Sequence, residues 1–176
     1  PNSDDSLSFQ YSQYCAHKLF LGIEATVPAA AAAMKWLRNI AQQQPNGKRM
    51  EWVTPTGFLV QHDYPGHEEV RVKLRSCGLV DTFVRNDTDD TNPNKMQNAI
   101  APNFVHAMDA SHLTLVALRM QAHGADMVGI HDSFGTHPCD VPFMHSAIRE
   151  QFIEMYSGNT LAEFLWDVGA IGETPT

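Results

Sequence analysis

Between Met127 and His137 the chain reads MVGIHDSFGTH: a short apolar run stops at His-Asp-Ser and resumes with Phe-Gly-Thr. Val128 and Ile130 are β-branched, Gly129 lets another backbone approach, and the polar tripeptide falls where the apolar pattern ends. That pattern predicts two strands joined by a tight turn. Asp132 is therefore presented on the turn and not buried by default. A loop aspartate without special duty is the commoner explanation of a single His-Asp pair, so its meaning has to come from the rest of the chain.

The remaining chain divides by hydrophobic period. From Ser6 to Ala25, Leu7, Tyr11, Tyr14, Cys15, Leu19 and Ile23 fall mostly three or four apart, a helix pattern. Thr26-Val27-Pro28 restarts it. Pro28 suits the first turn of a second helix, and the alanines from Ala29 to Ala33 lead to Met34, Trp36, Leu37 and Ile40 before Pro45-Asn46-Gly47 ends it. From Met50 to Arg85 the period is that of strands. Thr54-Pro55-Thr56-Gly57 turns the chain between Trp52-Val53 and Phe58-Leu59-Val60. A second hairpin alternates Val70, Val72 and Leu74 with Arg71, Lys73 and Arg75, turns at Cys77-Gly78, and returns with Val80, Thr82 and Val84 alternating with Asp81, Phe83 and Arg85. One face is apolar, the other polar and mostly basic.

Asn86 to Asn94, NDTDDTNPN, is too polar to pack and reads as a flexible connector. A long helix is expected from near Pro102 to about His123, stopped by Gly124, with Val105, Met108, Leu115 and Leu118 toward the core. Phe143, Ala147, Ile148, Phe152 and Met155 have helical spacing after Pro142, and a last short helix with Leu161, Phe164, Leu165 and Val168 follows Asn159. There is no internal repeat. The fold class is α+β, helices packed on antiparallel β-hairpins, divided into a helical part over 1–49, β-hairpins over 50–92, a part over 93–169 holding the hairpin 127–136, and a flexible tail over 170–176.

Charge limits what such a chain does alone. Twelve Lys and Arg against twenty Asp and Glu give a formal charge of −8, the wrong sign for a free-standing nucleic-acid binder, whose affinity comes mostly from phosphate neutralisation. The balance suits a piece whose basic phosphate contacts lie elsewhere. Cys15, Cys77 and Cys139 are odd in number and far apart, so neither a disulfide framework nor a paired-cysteine zinc site is indicated, and a reducing cytoplasm fits. Without a membrane-length apolar run or a leader the chain reads as soluble. The opening PNSDDS and the closing GAIGETPT read as cut boundaries.

Two further motifs give Asp132 its context: TPTGFLVQHDY from Thr54 to Tyr64 and APNFVHAMDASH from Ala101 to His112. Together with MVGIHDSFGTH, in this order, they make the chain from about Val27 to Asp167 resemble the single-subunit RNA polymerases of T7-like bacteriophages. Mitochondrial relatives are a weaker match, since their version of the last motif lacks Ser133-Phe134-Gly135, and a phage or prophage origin is implied. The resemblance implies a right-hand polymerase fold, with fingers helices over 1–49 and a palm segment over 93–169. It makes Asp132 catalytic, one of two carboxylates that hold a pair of Mg²⁺ ions, and sets His131 beside that site. The partner aspartate and the nucleotide-handling lysine and tyrosine belong to earlier motifs that this chain does not contain, so alone it is expected to be inactive. His106 would lie near the minor groove of the RNA–DNA hybrid. Residues 70–85 match the place of a promoter-reading hairpin, whose base-reading positions fall on Arg71, Lys73, Asp81 and Phe83. The implied partners are promoter and template DNA, nascent RNA, nucleoside triphosphates and the remainder of the polymerase, with no membrane, in the cytoplasm of an infected or lysogenic bacterium.

Blander readings stand beside each of these. His106 and His131 could be core histidines satisfied by backbone carbonyls, Asp109 and His112 could simply brace one helix face, and the hairpin's charged face could be plain solvated surface. From another class, His106, Asp109 and His112 at spacings of three could form a metal clip of a small hydrolase, though no fourth ligand or catalytic glutamate stands nearby. A non-catalytic prophage remnant is the third alternative.

Overall fold

The computed structural model describes residues 3–45, 48–74, 80–130 and 132–175, with the backbone alone for 3–6, 74 and 80. Helices α1 (Ser3–Thr26) and α2 (Pro28–Gln43) meet at Val27, and Pro28 sits in the first turn of α2, where its missing N–H had no helical partner to lose. α2 turns Ala31, Leu37, Ile40 and Ala41 into the interior. α1 is different: Leu7, Phe9, Tyr11, Tyr14, Leu19, Leu21 and Ile23 are all exposed.

Strand β1 (Met50–Val53) pairs antiparallel with β2 (Leu59–His62), in register from Met50 opposite His62 to Val53 opposite Leu59. Their turn closes through Gly57, whose N–H donates to the Thr54 carbonyl at 2.8 Å and whose φ of 81° is one that a residue with a Cβ rarely adopts. β3 (Pro65–Leu74) and β4 (Val80–Thr91) form the second, longer hairpin. Helix α3 (Pro93–His123) follows, then the hairpin β5 (Met127–Ile130) and β6 (Ser133–Thr136), and finally α4 (Val141–Met155) and α5 (Thr160–Asp167). This is an α+β arrangement of helices and separate two-stranded antiparallel sheets.

α3 is the spine. Its first half supplies Met96, Ile100, Ala101, Phe104 and Met108 to a core shared with α2, β1, Met155 and α5, while Val116 and Met120 enter a second cluster with Met144 and Ala147. Trp52, 3% exposed, joins the layers of the first core, its ring 5.3 Å edge-on from Phe164 and 6.4 Å from Phe104. Asp167 of α5 accepts from the Val53 N–H at 2.9 Å, and Asn159 caps α5 by accepting from Ala162 N–H at 3.1 Å. Residues 170–175 carry no helix or strand, and the Trp36 indole donates to the Glu173 carbonyl at 2.8 Å.

Three expectations need correction. Asn86 to Thr91, read as part of a flexible connector, is the end of β4 and pairs with the start of β3. Ladder bonds belong to the backbone, so polar side chains on a solvent-exposed strand do not prevent them. A register shift between Pro65 and His67 accommodates the extra residues of β4, and a Cβ on Gly66 there would stand 2.7 Å from the Thr88 hydroxyl. α3 also begins at Pro93, not near Pro102: Asn92 caps it through the Lys95 N–H, and the helix runs through Pro102 because Ile100, Ala101 and Phe104 around it are buried. Val105 and Leu118, expected in the core, are 51% and 56% exposed, since the buried side of α3 runs through Phe104, Met108, Val116 and Met120. Gly124 ends the helix as expected, with φ 81°. No helix among the described residues is long and apolar enough to cross a membrane.

Candidate active site

Helical periodicity brings His106, Asp109, Ala110, Leu113 and Thr114 to one side of α3, where they line a cleft of about 730 Å³ together with Asp132 from the β5–β6 turn. A neighbouring groove of about 630 Å³ shares His106, Ala110 and Thr114 and reaches the β1–β2 turn at Thr54, Thr56 and Phe58. The β5–β6 hairpin can sit this low over α3 because of Gly129, where a Cβ would come within 3.1 Å of the Leu113 Cδ1. The close neighbour is a helix side chain, not the second backbone expected from the sequence. Thr136 closes the hairpin's other end by donating to the Asp126 carbonyl at 2.6 Å.

His106, Asp109 and Asp132 are all exposed to the cleft's solvent. Tyr156 has its phenol pushed above its ordinary range, first by burial and then by the Asp109 charge. Asp132 is chemically suited to a hard divalent cation, but among the described residues no three His, Cys, Asp or Glu stand close enough to hold a metal ion. The described residues thus offer Asp132 as a single ligand, not a complete set. The same observation removes support from a metal clip of His106, Asp109 and His112. His112 donates from Nε2 to the Ile148 carbonyl at 2.8 Å and meets Phe134 and Phe152 edge-on, so it braces α3 against α4 and β6. His131 lies outside the described residues.

The second locus is the β3–β4 hairpin. Its register sets Arg71 opposite Phe83 and Lys73 opposite Asp81, so the four residues singled out in the sequence share one face. Phe83 is 63% exposed. Arg71 makes an ion pair with Asp81, and Arg85 Nε lies 3.2 Å from Glu69 Oε1. Two of the cations on this face are therefore matched by carboxylates, which tempers its expected basic character. Val70 and Val84, on the opposite face, are exposed as well. Arg75 and the Cys77-Gly78 turn lie outside the described residues.

Between the two loci runs a polar connection that sequence reasoning did not single out. His62, 1% exposed, reaches the Met96 carbonyl through Nε2 at 2.9 Å. A carbonyl only accepts, so Nε2 carries the proton and Nδ1 is left as an acceptor. Asn103 Nδ2 fills it at 3.1 Å and gives its other hydrogen to the Tyr64 hydroxyl oxygen at 3.0 Å. The signal was present in the alternation: His62 has the parity of Val60 and therefore turns inward with it.

A family model described as DNA-dependent RNA polymerase matches residues 2–170. The chain belongs to this polymerase family. A DNA-directed RNA polymerase of Pseudomonas phage phiKMV is 44% identical over 152 residues, which is 86% of this chain and 19% of that relative. The mitochondrial DNA-directed RNA polymerase 1 of Arabidopsis thaliana is 34% identical over 165 residues, 92% of this chain and 16% of the relative. The mitochondrial DNA-directed RNA polymerase of Mus musculus is 32% identical over 161 residues, 89% of this chain and 13% of the relative. This polymerase segment thus spans about a fifth or less of the length of these relatives.

Within the segment, the fold brings His106 and Asp132 to one cleft, gathers Arg71, Lys73, Asp81 and Phe83 on a separate hairpin face, and leaves these two groups on different elements.

Proposed function

We propose that this chain is the C-terminal palm and fingers part of a DNA-directed RNA polymerase of the T7-like phage type, and that its α3 cleft is the chain's share of the nucleotidyl-transfer centre. The observation that carries the reading is the convergence of His106 and Asp132, from two separate sequence motifs, on one cleft. In the complete enzyme Asp132 is one of two metal-binding carboxylates, the other lying outside this chain, and His131 stands beside it. Two Mg²⁺ ions held by Asp132 and the carboxylate outside this chain would supply positive charge for the RNA 3′-oxygen and the departing pyrophosphate. His106 faces the minor groove of the RNA–DNA hybrid, where a contact senses duplex shape and not sequence.

The β3–β4 hairpin reads promoter DNA through Arg71, Lys73, Asp81 and Phe83. Arg and Lys match guanine O6 and N7, and a carboxylate can accept from cytosine N4. The enzyme's partners are promoter and template DNA, nascent RNA, nucleoside triphosphates and the rest of the polymerase, in the cytoplasm of the bacterial host.

The test is primed, Mg²⁺-dependent RNA synthesis by the complete polymerase and its Asp132→Asn variant. Loss of a metal ligand worth several kcal/mol in the transition state lowers the rate about 10²-fold or more. A variant that elongates like its parent removes Asp132 from the site, and an inactive parent makes the protein a non-catalytic remnant.

A further inference from the structure

We propose that His62, Asn103 and Tyr64 form a positioning unit that fixes the β3–β4 hairpin relative to the α3 cleft, so that promoter DNA held by the hairpin and the duplex in the cleft are presented in a set geometry. This inference rests on the hairpin being the promoter-reading element.

The hairpin has one root. β3 starts immediately after Tyr64, and the Asn92 N–H, immediately after β4, donates to the Tyr64 carbonyl at 2.7 Å. Both strands therefore leave the body of the protein at Tyr64, and Asn92 also caps α3. The Tyr64 ring is fixed in turn. Its hydroxyl oxygen accepts from Asn103, and its face meets the His62 ring edge-on with centroids 5.0 Å apart. Asn103 is one helical turn before His106 on α3, and both line the groove beside the β1–β2 turn.

The chemistry makes the arrangement directional. With the His62 proton committed to the Met96 carbonyl, only the amide NH₂ of Asn103 can face Nδ1, and this choice leaves its second hydrogen for Tyr64. One buried ring thereby selects the rotamer of the residue that holds the hairpin root. A glutamine can repeat the pattern, donating to Met96 through its NH₂ and accepting from Asn103 through its oxygen. Leucine can do neither.

The test uses the complete polymerase, with promoter-dependent run-off transcription and elongation on a preassembled primed scaffold measured side by side. Tyr64→Phe removes one oxygen atom and keeps the ring. It is expected to raise the KM for promoter about fivefold to tenfold, the loss of one hydrogen bond, with elongation unchanged. His62→Leu is expected to do the same and His62→Gln to behave like the parent. If Tyr64→Phe leaves promoter use unaltered, or if elongation falls in step with it, the positioning role is wrong. Failure of His62→Gln to restore what His62→Leu loses would also overturn it. Arg71→Ala and Lys73→Ala separate the two readings: a promoter effect in either with none in Tyr64→Phe overturns the positioning unit alone, whereas no effect in both overturns the hairpin's role and the inference with it.

Discussion

The burial of His62 makes part of this fold's stability depend on pH. Burial is the main cause that holds His62 below its ordinary pKa of 6.5, opposed by the Met96 carbonyl and the Asp63 charge. The unfolded chain takes up a proton as the pH falls through about 6.5, while the folded chain still refuses it. Stability from this site is therefore complete above that value, and it is lost on acidification until the folded His62 also protonates. Urea unfolding of the chain is expected to show a lower midpoint at about pH 5.5 than at 7.5, and His62→Gln should flatten that part of the difference. Equal pH dependence in the two proteins would show that His62 does not report the transition. Neighbouring residues show what a sequence reader could not see. The inward parity of His62 was legible, but its partners Met96 and Asn103 lie on a helix more than thirty positions away.

Among the elements, local signals were the reliable ones. Pro28 at a helix start, Gly57 in a turn, Gly124 at a helix stop and Asn159 as a cap each act within a few bonds of themselves, and each stands where the pattern put it. The end of β4 and the start of α3 depended on a strand partner and on packing at a distance, so polar composition and Pro102 misled there. Of the site, the presentation of Asp132 and the shared face of Arg71, Lys73, Asp81 and Phe83 followed from period two, whereas the pairing of Arg71 with Asp81 depended on side-chain conformation. This pair is solvent-exposed and contributes little to stability, so opening it costs little. In the complete polymerase, Arg71→Ala and Lys73→Ala are expected to shift promoter preference about tenfold or more in competition assays, with elongation on a primed template retained. Preference left intact in both would reduce the hairpin to surface.

For the molecule as a whole, α3 carries both cores and one wall of the cleft, so the site is built on the most heavily packed element. Yet the described residues bring no three-ligand metal group, and a formal charge of −8 disfavours holding nucleic acid unaided. The chain by itself is expected to give no extension of a primed template with nucleoside triphosphates and Mg²⁺. Any template-directed product from it would contradict the proposal that this chain holds only a share of the catalytic centre.

The dressing of α1 has a practical consequence. Aromatic and aliphatic side chains point from it into water on more than one side, among them Phe9, Tyr11, Tyr14 and Leu19. Apolar surface of this kind, left wet, drives molecules together. Handled alone at high concentration, the chain is expected to behave as an adhesive particle, sticking to its own copies through this helix.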